Sequence, residues 1–208
     1  MSITALFTDK VLVSRIQKKL PEFFYLAELE SSRANKVGME VGSVREKIII
    51  ALLIYKFGQG SIDTDIPITE SEVDVRVNGE PLSIKTITGK KLGGIKIIWT
   101  VDAEKALNFR RDYIPHCGIL LIQVYWNNIG GFFFFPLSTQ IEVIQQLSRD
   151  KYIKLPKAGT NPRGVEISVE ALDMLTKHPQ TQIIPINWYR KSVEYNPYDR
   201  WIELWRKD

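Results

Sequence analysis

The sequence predicts an α/β fold in which a mixed β-sheet is flanked by helices. Three observations carry this. Segments with apolar residues at helical spacing alternate with short runs rich in Val, Ile and Phe. An Asn-Gly pair between two such runs marks a tight hairpin. No repeat, low-complexity stretch or linker interrupts the 208 residues, and 44% of them are hydrophobic, enough for one sizeable core. Residues 1–208 are therefore expected to form a single domain. The N-terminal helices (1–40) and the C-terminal third (150–208) elaborate its core.

Taken in order, Thr8 can cap a helix running to about Lys19, and Pro21 can open a second, "PEFFYLAELESSRANK". The loop "KVGMEVG" follows, and then "SVREKIIIALLIYKFG", a helix that Gly58 ends. The centre reads as sheet: the hairpin "EVDVRVNGEPLSIKT", then "GGIKIIWTV", a short helix near 103–111, "CGILLIQVYW" and "GGFFFFP". "LSTQIEVIQQLS" reads as a capped helix, and another is expected near 168–177. The tail "NWYRKSVEYNPYDRWIELW" is aromatic-rich. Its aromatics are interleaved with apolar residues, which favours core packing or a dimer interface over single-strand stacking.

Composition excludes several classes. A net charge of +4 and a pI near 9.0 permit a polyanionic partner without requiring one. One cysteine, Cys117, allows no internal disulfide and points to a cytoplasmic setting. The histidines, His116 and His178, are too few for a usual zinc site and lie in no nucleophile motif. The N-terminus does not read as a signal peptide. No stretch approaches the roughly 20 apolar residues of a membrane span.

The hairpin carries chemistry. Val73, Val75 and Val77 share one face of its first strand, and Leu82 and Ile84 one face of its second. Pairing these faces on a core sends Asp74 and Lys85 out on the same opposite side. An acid and an ammonium so placed can serve phosphodiester hydrolysis: the carboxylate holds Mg²⁺, and the lysine orients water or stabilises the transition state. The alternative is a cross-strand salt bridge worth under about 1 kcal/mol. Two residues before the lysine, where such sites usually hold another acid, stands Ser83. Glu46 is the candidate replacement. It precedes Ile49, Ile50 and Leu53 by three, four and seven residues, at the polar start of an apolar helical stripe. A glutamate there needs a partner, which a metal or Lys85 would provide, unless it acts only on the helix dipole or is simply exposed.

Glu46, Asp74 and Lys85, at intervals of 28 and 11 residues, with Ser83 and with Met39 in "KVGMEVG", resemble the ThaI-like type II restriction endonucleases. These belong to the PD-(D/E)XK superfamily, in a branch whose glutamate has moved from strand to helix. The resemblance centres on 39–86. It implies a restriction-endonuclease-like core, Mg²⁺ dependence and a homodimer cutting double-stranded DNA within the palindrome CGCG. Glu46, Asp74 and Lys85 would be catalytic, with the two acids binding metal. Met39 would enter the base stack as a wedge. A cognate DNA methyltransferase would protect host sites.

Two lysine-rich segments complete the reading. Residues 83–96 hold four lysines and no acid, and Lys90 and Lys91 lie just beyond the site as candidate phosphate contacts. Residues 149–163 hold five basic residues against one acid, and Lys154, Lys157 and Arg163 are candidate guanine readers. For any single one of them, a solvated surface charge is the simpler reading. A structure-selective or repair nuclease of the same fold, and a non-catalytic DNA-binding module, are the competing readings.

Overall fold

Buried strands need apolar residues on both faces, and two segments of this chain supply them: "GILLIQV" (Gly118–Val124) and "FFFF" at the end of Asn128–Phe135. The computed structural model places both strands at the centre of a three-layer arrangement. It describes residues 2–33, 36–38, 40–156, 164–191 and 193–207. Met39, Lys157 and Arg163 lie outside the described residues.

In chain order the elements are α1 (Ala5–Thr8), α2 (Lys10–Glu30), β1 (Ser32–Arg33), β2 (Lys36–Val37), α3 (Val41–Phe57), β3 (Ile62–Asp63), β4 (Val75–Val77), β5 (Glu80–Thr88) and β6 (Ile95–Ile98). After these come α4 (Ala103–Asp112), β7 (Gly118–Val124), β8 (Asn128–Phe135), α5 (Leu137–Leu147), α6 (Arg149–Tyr152) and β9 (Ile153–Lys154). The chain then forms β10 (Val165–Ile167), α7 (Val169–Lys177), β11 (Gln182–Trp188) and α8 (Asp199–Trp205). The main sheet has the order β11-β8-β7-β5-β4-β3. Among the described residues, only β5 and β7 run parallel, in the register Leu82↔Gly118 to Thr88↔Val124.

Side chains alternate cleanly across this sheet. Leu82, Ile84, Leu120, Ile122, Phe132 and Phe134 face α2 and α3, where Leu20, Phe24, Ile49 and Leu53 are buried. Ile119, Leu121, Phe133 and Phe135 face the opposite core, built with Val143, Tyr152, Leu172 and Leu175. The Asn-Gly turn forms as the sequence requires: Asn78 and Gly79 have φ of 51° and 84°, and the strands beside them pair Val77↔Glu80.

Four local expectations differ. Pro21 does not open a helix; α2 runs through it, because Leu20, Pro21 and Phe24 are all buried and packing outweighs the missing hydrogen bond. Asp9, not Thr8, caps α2, its carboxylate accepting from Leu12 N–H at 3.1 Å and from Lys56 at 2.7 Å. No side chain caps α5. The strand in "GGIKIIWTV" leaves the main sheet, because β7 already occupies that edge of β5; it joins a separate sheet of order β6-β10-β9. In the aromatic tail, Trp188 is fully buried, while Trp201 and Trp205 are exposed. Among the described residues, no helix is long and apolar enough to cross a membrane.

Leu120 lies on the parallel pair with no exposed surface. Leu120→Ala is expected to cost about 2–5 kcal/mol, whereas Ile183→Ala, on the open face of β11, should stay within about 0.5 kcal/mol. Urea unfolding of both variants checks this, and equal losses would contradict the layering.

Candidate active site

The site forms where β4 stops short and β5 continues. Pairing between them ends at Val75↔Leu82, with one more bond from Asp74 N–H to the Leu82 carbonyl at 3.0 Å. Beyond that point one edge of β5 is open, and the first turns of α3 enter. Asp74, Ser83 and Lys85 share the face opposite the valines, as strand alternation requires.

Asp74 is held by three donors that converge on a single oxygen. Its Oδ2 accepts from the Ile84 amide at 2.6 Å, from Lys85 Nζ at 3.0 Å and from Ser83 Oγ at 3.1 Å. The pair is not a solvated surface bridge: the side chains of Asp74 and Lys85 are 18% and 19% exposed. Among the described residues, no donor reaches Oδ1.

Glu46 comes from the second turn of α3 and is half-buried. Burial pushes its carboxyl above the usual range, the negative charge of Asp74 adds to this, and Lys85 and Lys47 oppose it. Among the described residues, Glu46 has no hydrogen-bond partner. Two carboxylates that repel each other, each with an uncommitted oxygen, beside one ammonium, are a donor set suited to a hard divalent cation. The residues present therefore fit such an ion.

A further acid lies beneath. Glu72, two residues before Asp74, is buried. Its Oε2 accepts from the Tyr113 hydroxyl at 3.1 Å, and its Oε1 lies 3.8 Å from His116 Nδ1. Cys117 Sγ donates to the Glu72 carbonyl at 3.9 Å. Burial raises the Glu72 carboxyl, opposed by His116, Tyr113 and Lys85. Burial also pushes the Cys117 thiol up to about 12, so it is not a nucleophile. The ligating atoms of Glu72, His116 and Cys117 lie within 4.8 Å of one another. A thiol and an imidazole suit softer metals than Mg²⁺, and each member already has a protein partner. Glu72 is not among the sequence candidates; its position two residues before Asp74 is the signal the sequence offers.

The basic candidates are spread out. Lys90 and Lys91 are exposed just past β5, where the Gly89 and Lys90 carbonyls accept from Gln123 Nε2 at 3.1 Å. Lys154 is exposed on β9 and bonds Glu166 at 3.0 Å.

The geometry has counterparts. A family described as restriction endonuclease ThaI matches residues 6–207. The chain belongs to the ThaI restriction endonuclease family. A solved structure described as "Restriction endonuclease in complex with substrate DNA" shares 52% sequence identity, with 96% of each chain covered and a TM-score of 0.90. Among individually curated proteins, none gives a significant match. The ThaI family assignment makes the chain a type II restriction endonuclease, a site-specific deoxyribonuclease, and the mixed sheet with its flanking helices is the fold of that relative.

The raised Glu46 carboxyl predicts a pH effect. A carboxyl whose folded pKa exceeds its unfolded value binds its proton more tightly in the folded chain. Stability is then lost as pH rises from the unfolded value through the folded one. In metal-free buffer, Glu46→Gln should melt higher than wild type above this window and equally below it. Thermal melts from about pH 4 to about pH 8 test the sign. A variant that melts lower at neutral pH would show that Lys85 outweighs the burial of Glu46.

Proposed function

We propose that this chain is a Mg²⁺-dependent endonuclease that cuts both strands of DNA within a short palindrome, CGCG by family resemblance. The observation that supports this best is the facing of Glu46 and Asp74 beside Lys85 in a chain of this family. Asp74 and Glu46 would hold the metal through their carboxylate oxygens. The chemistry that bound Mg²⁺ supplies is charge neutralisation at the scissile phosphate and a lower pKa for an attacking water.

The remaining steps belong to the chain's own groups. Three donors fix the Asp74 carboxylate, so its free oxygen has one direction available. Lys85, anchored to Asp74, orients the water and offers a positive charge to the phosphoryl oxygens as charge builds on them. In-line attack breaks the bond to the 3′ oxygen and leaves a 5′-phosphate. Behind the site, Tyr113 and Cys117 pack against Glu72, both buried.

The similar solved restriction endonuclease is bound to substrate DNA. For this chain, double-stranded DNA is the matching substrate. Lys90 and Lys91 contact phosphates beside the site, while Lys154, Lys157 and Arg163 read guanines from the major groove. Met39, a flexible apolar residue, wedges into the base stack. The protein acts as a single-domain subunit of a homodimer, since a palindrome has two-fold symmetry and needs one site per strand. A methyltransferase of the same specificity protects the host.

A plasmid digest tests this. With Mg²⁺, wild type should give discrete fragments mapping to CGCG; with EDTA it should give none. Lys85→Ala should cut at least about 10²-fold more slowly while still binding DNA. Cutting confined to branched DNA would discard the sequence-specific reading. An uncut template in every divalent metal tried would reduce the hairpin pair to a salt bridge.

A further inference from the structure

Glu46 must meet Asp74 from another element, so its placement depends on how α3 is set against the sheet. The start of α3 has weak local support: Glu40 stands at the N-cap position and makes no side-chain cap. The anchor is the residue beside Glu46. Arg45 is 4% exposed. Its Nη2 donates to Glu28 Oε1 on α2 at 2.7 Å, and its Nη1 donates to Thr88 Oγ1 at the end of β5 at 3.0 Å. The guanidinium also lies 5.4 Å from the centre of the Phe24 ring.

Both anchor points are fixed. Glu28 further accepts from Trp126 Nε1 at 2.7 Å and from Arg190 Nη2 at 2.9 Å. Thr88 is paired with Val124, and the next amide, Gly89 N–H, donates to the Val124 carbonyl at 2.9 Å. Thr88 lies three residues from Lys85 on the same strand. The fork of Arg45 thus ties the helix that carries Glu46 to the strand that carries Lys85.

We infer that Arg45, with Glu28 and Thr88, is a positioning group that sets the angle of Glu46 toward Asp74 and the metal. This rests on Glu46 being a metal ligand. Successive helical residues point about 100° apart, so Arg45 faces inward while Glu46 faces the site. At the roughly 6 Å radius of a helical side chain, a rotation of about 10° moves the carboxylate about 1 Å. A shift of that size at a reacting centre can cost about 10²-fold in rate.

Thr88→Val is the sharpest test, because it removes only the hydroxyl of an exposed residue. Mn²⁺ binding is followed by electron paramagnetic resonance, and the Mg²⁺ concentration giving half-maximal cleavage is measured beside it. Thr88→Val should weaken Mn²⁺ binding and raise that concentration, toward about 10-fold. Its melting temperature should fall by only about 2–4 °C, the loss of a single hydrogen bond, and its DNA affinity in Ca²⁺ should stay at the wild-type value. Arg45→Lys, which keeps the charge and loses the fork, should act in the same direction and more strongly. Wild-type Mn²⁺ binding in Thr88→Val overturns the inference. So does an Arg45→Lys variant that merely melts earlier with an unchanged Mg²⁺ requirement. Glu46→Ala is the control: if it binds Mn²⁺ as well as wild type, the ligand role of Glu46 fails, and this inference with it.

Discussion

Three carboxylates, those of Glu46, Glu72 and Asp74, act on the ammonium of Lys85, and much of the surrounding structure offsets the cost of placing them there. Like charges in a partly desolvated site repel, and burial raises the cost of ionising Glu46 and Glu72. The compensation is uneven. Asp74 has three donors on one oxygen. Glu72 has the Tyr113 hydroxyl and the nearby His116. Glu46 has charge interactions alone among the described residues. The group left least satisfied, Glu46, is the one with a carboxylate a cation could still complete.

The sheet makes that opening by mismatch of strand lengths. β4 has three residues and β5 has nine, so the hairpin turn fixes a register that β4 cannot sustain as far as Lys85. On its other edge β5 is locked to β7 along seven residue pairs. The lysine therefore stands on a rigid strand with one free side. Both sheet faces are covered by separate cores, so the strand edge is what remains to hold polar groups.

How much of this could be read in the sequence follows from the range of each interaction. The hairpin was legible because an Asn-Gly turn and a period of two are local signals, and they place Asp74 and Lys85 on one face whatever the rest of the chain does. Glu46 was legible from helical spacing against Ile49, Ile50 and Leu53. The network on Glu28 was not, since it joins residues 17, 98 and 162 positions apart. The same holds for the run of α2 through Pro21 and for the departure of β6. Local preference favoured other outcomes there, and burial in tertiary contacts decided them.

Ser83 bears on why the acid that faces Asp74 stands on a helix and not on the neighbouring strand. The residue is 1% exposed, stands opposite Ile119 on β7, and gives its hydroxyl to Asp74 Oδ2. A glutamate in its place would replace that donor with an acceptor and bury a further charge against the core. With serine there, Asp74 is better held, and the acid that faces it comes from outside the sheet. The consequence is a change in what governs the geometry. Two acids on adjacent strands are spaced by strand register, which the hairpin turn fixes. An acid on α3 is spaced by helix-on-sheet packing, through Ile49 and Leu53 below and the Arg45 fork at the side. A site built this way is sensitive to any change that rotates α3 against β5, including changes at residues that never approach the substrate.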